Sequence, residues 1–267
     1  AFSVGGLEAA DMVRKQGRHI AVAGANAYPV SQAHRLLSRP PSGCVLDMMS
    51  YWVAWSQGTL ELIEQLCGPI HLPRAVFDQL QGRLEYLDAQ PPGDQLHLEW
   101  TATSERLVGV TTEEDQLAAQ RSALEGAIAW ANEHAVLAPQ EMSDAVPAGL
   151  RQLALEMPLP VFDSMVLAIN QGLLLVSDDA RARDLFAALT HGEAICPQVI
   201  HLAGVMHGAM SPEPFVCCQA DYAAIGSDLS LVSPIDLVTA AALDHADGHA
   251  APGPLIQRLA PVGDNPG

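Results

Sequence analysis

The sequence is poor in positive charge. Its 267 residues hold 13 Lys and Arg against 31 Asp and Glu, a net charge of −18, and Lys15 is its single lysine. Proteins that bind nucleic acid usually carry a basic patch, so the composition excludes a polyanion-binding surface spread over the whole protein. A solubilising acidic surface is the simplest interpretation. The first forty residues are locally basic, with five basic residues: Arg14, Lys15, Arg18, Arg35 and Arg39.

Paired cysteines and long apolar runs are also missing. The five cysteines are odd in number and none has C-x-x-C spacing, which argues against a disulfide framework and a structural zinc site. Buried free thiols in a reducing cytoplasm are the simplest account. No apolar run is long enough to span a membrane, and no signal peptide is visible. The chain begins with Ala1 and not with Met, which is consistent with a piece of a longer protein.

Breaks in composition predict three parts. Residues 1–42 predict a helical, locally basic segment that ends in a Pro-Pro-Ser-Gly turn. Residues 43–210 predict the main domain, with an insertion at about 91–157. From 211 the pattern weakens, and the stretch from about 245 is rich in Pro, Gly and Asp, so we expect it to be disordered.

Short apolar runs in the main domain are typical of buried strands. They cover residues 44–46, 70–72, 173–176 and 194–196. Helical patterns follow each of them, which predicts an α/β fold of three layers, α/β/α, around a central parallel sheet with right-handed crossovers. The insertion is expected to hold a hairpin (96–100 with 106–110), a helix from about 113 to 134 and a shorter helix over 146–156.

Carboxylates follow two of these predicted strands. Asp47 comes directly after the first, and Asp178 and Asp179 come after the strand that ends at Val176. Asp163 is predicted in the first turn of the helix just before that strand. Parallel strands end at one edge of their sheet, where α/β proteins bind ligands. We therefore expect these carboxylates to lie close together and mutual repulsion to raise their pKa values.

Two interpretations of these carboxylates remain open. Each Asp alone could simply cap the helix that follows its strand. Taken together, Asp47, Asp163 and Asp179 favour a metal site, because converging carboxylates are costly unless a cation neutralises them. Oxygen ligands without His or Cys suit Mg²⁺ or Mn²⁺. A cation held in this way can activate water and stabilise charge on a phosphate.

Four motifs, in this order, resemble the series found in PIN domains. They are VLD (45–47), IHLPRAVFDQL (70–80), FDSMVLA (162–168) and LLVSDD (174–179). The resemblance extends from about residue 43 to 210, with a long central insertion. PIN domains are mostly metal-dependent ribonucleases, including toxins of toxin–antitoxin pairs, and some are modules inside long bacterial proteins.

The resemblance implies site residues. Asp47, Asp163 and Asp179 correspond to the metal-binding and catalytic carboxylates, with Asp178 as a neighbouring candidate. Ser177 corresponds to the small polar residue two positions before the last Asp, on the substrate side of the site.

The sequence departs from the family pattern at one ligand position. PIN domains usually place a Glu six residues after the proline that corresponds to Pro73, and here Gln79 stands there with Asp78 beside it. A neutral amide is a weak ligand for hard cations. Either Asp78 substitutes for that Glu or metal binding is weakened. We expect the Gln79 side chain to point toward the carboxylates and Asp78 to point away or lie at the rim.

The resemblance implies a divalent-metal-dependent nuclease that hydrolyses phosphodiester bonds, with single-stranded RNA as the expected substrate. Arg181, just after the last Asp pair, could contact a phosphate, and a solvated helix face is the equal alternative. A second function is open: a degraded PIN-like module that serves interaction or regulation beside a partner protein or further domains of a longer chain. Gln79 and the acidic composition favour this alternative, and the three retained Asp residues oppose it.

Overall fold

The computed structural model describes residues 28–101, 106–139 and 141–224. Their strands are β1 (Cys44–Leu46), β2 (Ile70–Pro73), β3 (Gln95–Thr101), β4 (Arg106–Thr112), β5 (Val136–Ala138), β6 (Leu174–Val176) and β7 (Ala194–Ile195). Their helices are α1 (Tyr28–Ser38), α2 (Met48–Ser56), α3 (Leu60–Cys67), α4 (Arg74–Asp88), α5 (Glu114–His134), α6 (Ala148–Gln152), α7 (Leu159–Gln171), α8 (Ala180–Thr190), α9 (Pro197–His207) and α10 (Pro212–Ala224). A 3₁₀ turn follows α6 at Leu153–Leu155.

Five strands form one parallel sheet in the order β5-β2-β1-β6-β7. Side chains of the central strands alternate between two cores. Leu46 and Val176 pack into the larger core with α1 to α5 and α9, and Val45 and Leu175 pack into the smaller one with α6, α7 and α8. Helices thus cover both faces, as parallel sheets require. The predicted α/β architecture with three layers is confirmed.

The turns between strands and helices follow from local residue chemistry. Asp47 and Asp179 cap the N-termini of α2 and α8 with their side chains. Gly172 ends α7 with φ +65°, a left-handed conformation that glycine adopts without a Cβ clash. This tight ending returns the chain at once to β6, so α7 runs antiparallel to the strands.

One strand of the sheet was missed. β5 follows α5 after a single residue and is only three residues long, so no break in the sequence separated it from the helix. It pairs in parallel with β2 at the edge of the sheet. The segment predicted as an insertion therefore supplies a strand of the central sheet as well as the β3–β4 hairpin and the long helix α5, both of which were predicted.

One helical prediction needs correction, and two helices were not predicted individually. Asp163 lies in the second turn of α7, because that helix begins at Leu159, one residue before the predicted start. Helix α10 was not predicted, since its sequence has no clear helical period, and it packs against α9. Helix α1 was not specified. The helix predicted near residues 7–16 and the tail after Ala224 lie outside the described residues.

Buried free thiols were predicted, and Cys44, Cys67, Cys196 and Cys218 are of this kind. Cys217 is free but exposed. The rings of Trp52 and Trp55 have centroids 5.4 Å apart and planes tilted by 30°, and both side chains pack partly buried against the larger core. In the described part of the chain, no helix combines the length and apolar character that crossing a bilayer requires.

Candidate metal centre

We call the end of the sheet at which β1, β2 and β6 stop the carboxyl edge. Leu46 lies opposite Val176 in the parallel register, so Asp47 and Ser177 leave neighbouring strands side by side. Asp47 has extended backbone, and its Oδ1 accepts a hydrogen bond of 2.8 Å from the backbone N–H of Ser50. Asp179 caps α8 in the same way, with Oδ1 2.8 Å from the N–H of Arg181. Both carboxylates are thus cap residues at one edge.

Two serines connect these turns. The Ser177 hydroxyl donates to Asp47 Oδ2 at 2.5 Å and accepts from the Asp179 N–H at 3.2 Å. In the opposite direction, the Ser50 hydroxyl accepts from the Asp178 N–H at 2.8 Å. Each turn therefore contributes one serine that bonds to the other turn. Hydrogen bonds to the oxygens of a carboxylate favour its charged form and fix its orientation.

Asp163 reaches the carboxyl edge from a helix. Helix α7 packs on β1 and β2 and ends at Gly172, just before the start of β6. Its N-terminal half, with Asp163, therefore lies toward the carboxyl edge. The Asp163 side chain is buried and makes no hydrogen bond or ion pair with the residues that the structure describes. Burial raises its pKa from 3.8 to about 6.

Burial, more than mutual repulsion, raises the carboxyl pKa values at this edge. It is the largest cause at Asp47, where hydrogen bonds from Ser177 and Ser50 oppose it and the charge of Asp179 adds to it. At Asp178 burial raises the pKa to about 7, and the charge of Asp47 is the second cause. The expected upward shift is therefore present, but repulsion is not its main source.

The carboxylates do not close around an ion. Within the residues that the structure describes, no three His, Cys, Asp or Glu side chains are arranged to hold a metal ion. The Ser177 bridge brings Asp47 and Asp179 together, whereas Asp163 lies at the same edge on a separate helix. Asp178 is buried near Tyr222 of α10, and neither of its carboxyl oxygens accepts a hydrogen bond. The metal roles assigned to these four residues stay a prediction.

Position 79 and its neighbour differ in exposure. Asp78 is exposed, and its Oδ1 lies 2.7 Å from Arg74 Nε, one helical turn earlier. This ion pair argues against a metal role for Asp78. That metal role, like those of the other carboxylates, stays a prediction. The Gln79 Oε1 atom is buried without a hydrogen-bond partner. Because α4 starts where β2 ends, Gln79 in its second turn lies near the carboxyl edge.

Arginines near the carboxylates are few. Arg181 is exposed in the first turn of α8, and its contact with a phosphate stays a prediction. Arg183 donates from Nη1 to the Ser177 carbonyl at 2.6 Å. Of the basic residues in the N-terminal segment, Arg14, Lys15 and Arg18 lie outside the described residues. Arg35 lies 3.9 Å from Glu193, which precedes β7, so this arginine is at the opposite edge of the sheet.

Two residues of this region were not predicted from the sequence. Ser50 stands three positions after the cap residue Asp47, the spacing at which a polar residue often completes a helix cap, so its backbone contact was readable. Its second contact to Asp178 was not, because it depends on the register of two strands. Tyr222 was missed because it lies in α10, whose sequence gave no periodic signal.

Comparison with known families agrees with this geometry. A family model described as "PIN domain associated with the TPR-GreAB-C-PIN system" matches residues 45–188, more than half of the chain. The match begins in β1 and ends in α8, so it includes Asp47, Asp163 and Asp179 and leaves out α9 and α10. No curated protein matches the chain.

Proposed function

Because the chain belongs to the PIN domain family associated with the TPR-GreAB-C-PIN system, we propose that it is a divalent-metal-dependent nuclease acting on single-stranded RNA. One observation supports this most. The Ser177 hydroxyl donates to the Asp47 carboxylate and accepts from the backbone N–H of Asp179, so it joins these two residues at the carboxyl edge. α/β proteins bind ligands at this edge of the sheet. Two acidic residues located there support the binding of a cation together with a phosphate substrate.

The donor set fits Mg²⁺ or Mn²⁺. Its atoms are oxygens, which hard cations prefer, and Mg²⁺ usually keeps several waters and is bound by one or two carboxylates plus substrate phosphates. Asp47 and Asp179 would hold the cation from the two turns. Asp163, whose carboxylate lacks a partner among the described residues, would complete the set from α7. When bound, such a cation stabilises charge on a phosphate and lowers the pKa of water.

The chain itself would bind and orient the RNA backbone. Helices α2, α4 and α8 begin just beyond the carboxyl edge, so the positive ends of their dipoles are directed at it. Arg181, exposed in the first turn of α8, would contact a phosphate. Ser177 would keep the Asp47 carboxylate in place while the substrate binds. With a net charge of −18, RNA binding should be weak and should weaken further with salt.

Specific observations favour a second function. Both Asp47 oxygens already accept hydrogen bonds, and position 79 supplies a neutral amide in place of a carboxylate. Under this second function the chain is a degraded PIN-like module. The family description names TPR and GreAB-C domains, so the module would serve interaction or regulation beside such domains, on a longer chain or in a partner protein.

Cleavage of labelled single-stranded RNA separates these functions. We expect cleavage that needs Mg²⁺ or Mn²⁺ and stops with chelator. Asp163→Asn keeps the size of the side chain but removes its charge, so the rate should fall by about 10²-fold or more. Asp115→Asn, in the exposed first turn of α5, is the matched control and should cleave as the unmodified protein does.

Two outcomes would contradict the nuclease. Cleavage that is independent of metal, or unchanged in Asp163→Asn, would mean another site or a contaminating enzyme. Absence of cleavage over a broad panel of RNAs, with the fold intact by circular dichroism, would favour the degraded module.

Gln79→Glu tests whether position 79 belongs to the site. A carboxylate in place of the buried, unpartnered Oε1 adds an anionic oxygen, so Mn²⁺ affinity should rise by about tenfold, the lower end of what supporting groups contribute. Calorimetric titration measures it. Gln81→Glu is the control, because two residues further along α4 the side chain points to a different side of the helix. Equal affinity of Gln79→Glu and the unmodified protein would place residue 79 outside the site.

A further inference from the structure

We infer that Ser50 is a positioning residue that locks the two acidic turns together, so that Asp47 and Asp179 face a cation as one unit. The inference rests on the proposed function for its consequence in metal binding. Its structural part, the lock itself, stands on hydrogen bonds alone. Ser50 lies within α2 and carries no charge. We therefore assign it the orientation of the proposed carboxylate ligands and not the binding of the cation itself.

Three contacts converge on Ser50, which is fully buried. Its backbone N–H donates to Asp47 Oδ1 at 2.8 Å. Its hydroxyl oxygen accepts from the Asp178 N–H, also at 2.8 Å. The Ser50 side chain also lies close enough to Asp47 to lower the pKa of its carboxyl. One residue of the first turn therefore holds the carboxylate of its own turn and the backbone of the other.

The contact to Asp178 is the decisive one for this role. Asp178 lies between Ser177, whose hydroxyl bonds to the Asp47 carboxylate and to the Asp179 backbone N–H, and Asp179, which caps α8. Fixing the Asp178 N–H therefore fixes the backbone that carries both neighbours. Without the Ser50 hydroxyl this buried N–H has no acceptor in the structure, and buried backbone groups are rarely left unpaired. The turn would shift to find water, and Asp179 would move with it.

A simple capping role for Ser50 predicts something different. A helix cap needs only the backbone N–H of Ser50 and the carboxylate of Asp47, and both remain in Ser50→Ala. The capping role therefore predicts unchanged metal binding in that variant. The positioning role predicts a loss, because the hydroxyl is the group that accepts the Asp178 N–H of the other turn.

The test is calorimetric titration of the full chain with Mn²⁺ alone. Ser50→Ala should weaken Mn²⁺ binding by about tenfold or more, as is typical when groups that orient metal ligands are removed. Ser50→Cys keeps the size of the side chain and offers only a weak acceptor, so it should weaken binding too, and it serves if Ser50→Ala does not fold. Thr59→Val is the control. Its hydroxyl is also buried, but it donates to the Ala54 carbonyl and contacts His201, and it bonds neither turn.

A second measurement separates this inference from the proposed function. Hydrogen exchange of the Asp178 amide should be accelerated in Ser50→Ala and unchanged in Thr59→Val, in metal-free buffer. If the unmodified protein does not bind Mn²⁺, the proposed metal function is overturned, and faster exchange at Asp178 still confirms the lock. Unchanged exchange at Asp178, or unchanged Mn²⁺ affinity in Ser50→Ala where the unmodified protein binds, would overturn the positioning role.

Discussion

Two neighbouring turns of this molecule each bury a carboxyl group, but only one of these groups accepts hydrogen bonds. Asp47, after β1, is 2% exposed, and Asp178, after β6, is 1% exposed. Both Asp47 oxygens accept hydrogen bonds, from Ser50 and Ser177, whereas both Asp178 oxygens are without a partner. The two carboxyl groups are buried to nearly the same extent, so their environments differ in hydrogen bonding and not in exposure.

This difference indicates separate roles for the two carboxyl groups. Hydrogen bonds from Ser177 and Ser50 oppose the rise of the Asp47 pKa that burial causes. At Asp178 burial prevails and raises the pKa to about 7, so near neutral pH this group is partly protonated. Under the proposed function, Asp178 would therefore supply only part of a negative charge to attract a cation.

Replacing Asp178 should have the largest effect. A folded pKa raised from 3.8 to about 7 means that the folded state holds the proton longer, so stability falls as pH rises through that window. At about 1.4 kcal/mol for each pH unit, the loss amounts to about 4 kcal/mol. Asp178→Asn carries no proton to lose and should be more stable than the unmodified protein at pH 8, with little difference at pH 4.

Urea unfolding at pH 4 and pH 8, with chelator present, measures this. Asp88→Asn, on an exposed residue paired with Arg121, is the control for losing one acidic charge, and it should leave the pH dependence as it was. Parallel stability curves for Asp178→Asn and the unmodified protein would show that Asp178 is not the group that destabilises the fold at high pH.

Replacing Ser177 tests the other turn. Ser177→Ala removes the hydrogen bond to Asp47 Oδ2 and leaves a buried carboxyl oxygen unpaired, which should cost about 1–3 kcal/mol. Because the Ser177 bond lowers the Asp47 pKa, its loss raises that pKa further. The cost should therefore be larger at pH 8, where Asp47 has to ionise, than at pH 4.

Ser56→Ala is the matched control for Ser177→Ala. Its exposed hydroxyl donates to the Val53 carbonyl, and its loss should change the free energy of unfolding by no more than about 0.5 kcal/mol at either pH. An equal cost of Ser177→Ala at both pH values would contradict the difference drawn between the two turns.

Much of this contrast could be predicted from the sequence, and part of it could not. Apolar runs ending in Asp47 and Asp179 predicted the sheet and its acidic edge, because short buried strands and cap residues are encoded locally. Strand β5 could not be recognised from the sequence, because three residues directly after a helix are too few to show the alternation or apolar run of a strand. The opposite environments of Asp47 and Asp178 depend on strand register and on helix α10 packing nearby. Such contacts join distant residues, and no local pattern encodes them.

Replacing Tyr222 should have the smallest effect. Its hydroxyl is buried and makes no hydrogen bond of normal geometry, although it lies close enough to Asp178 to lower the pKa of that carboxyl. Tyr222→Phe keeps the ring and removes an unpaired polar group, so stability should stay the same or rise by up to about 1 kcal/mol. Tyr51→Phe is the contrasting variant, because the Tyr51 hydroxyl donates to the Ala127 carbonyl at 2.5 Å, and its loss should cost about 1 kcal/mol. Urea unfolding of both variants at pH 8 measures the difference. If Tyr222→Phe lost as much stability as Tyr51→Phe, Tyr222 would be bonding to Asp178, and the two turns would differ less than their hydrogen bonds indicate.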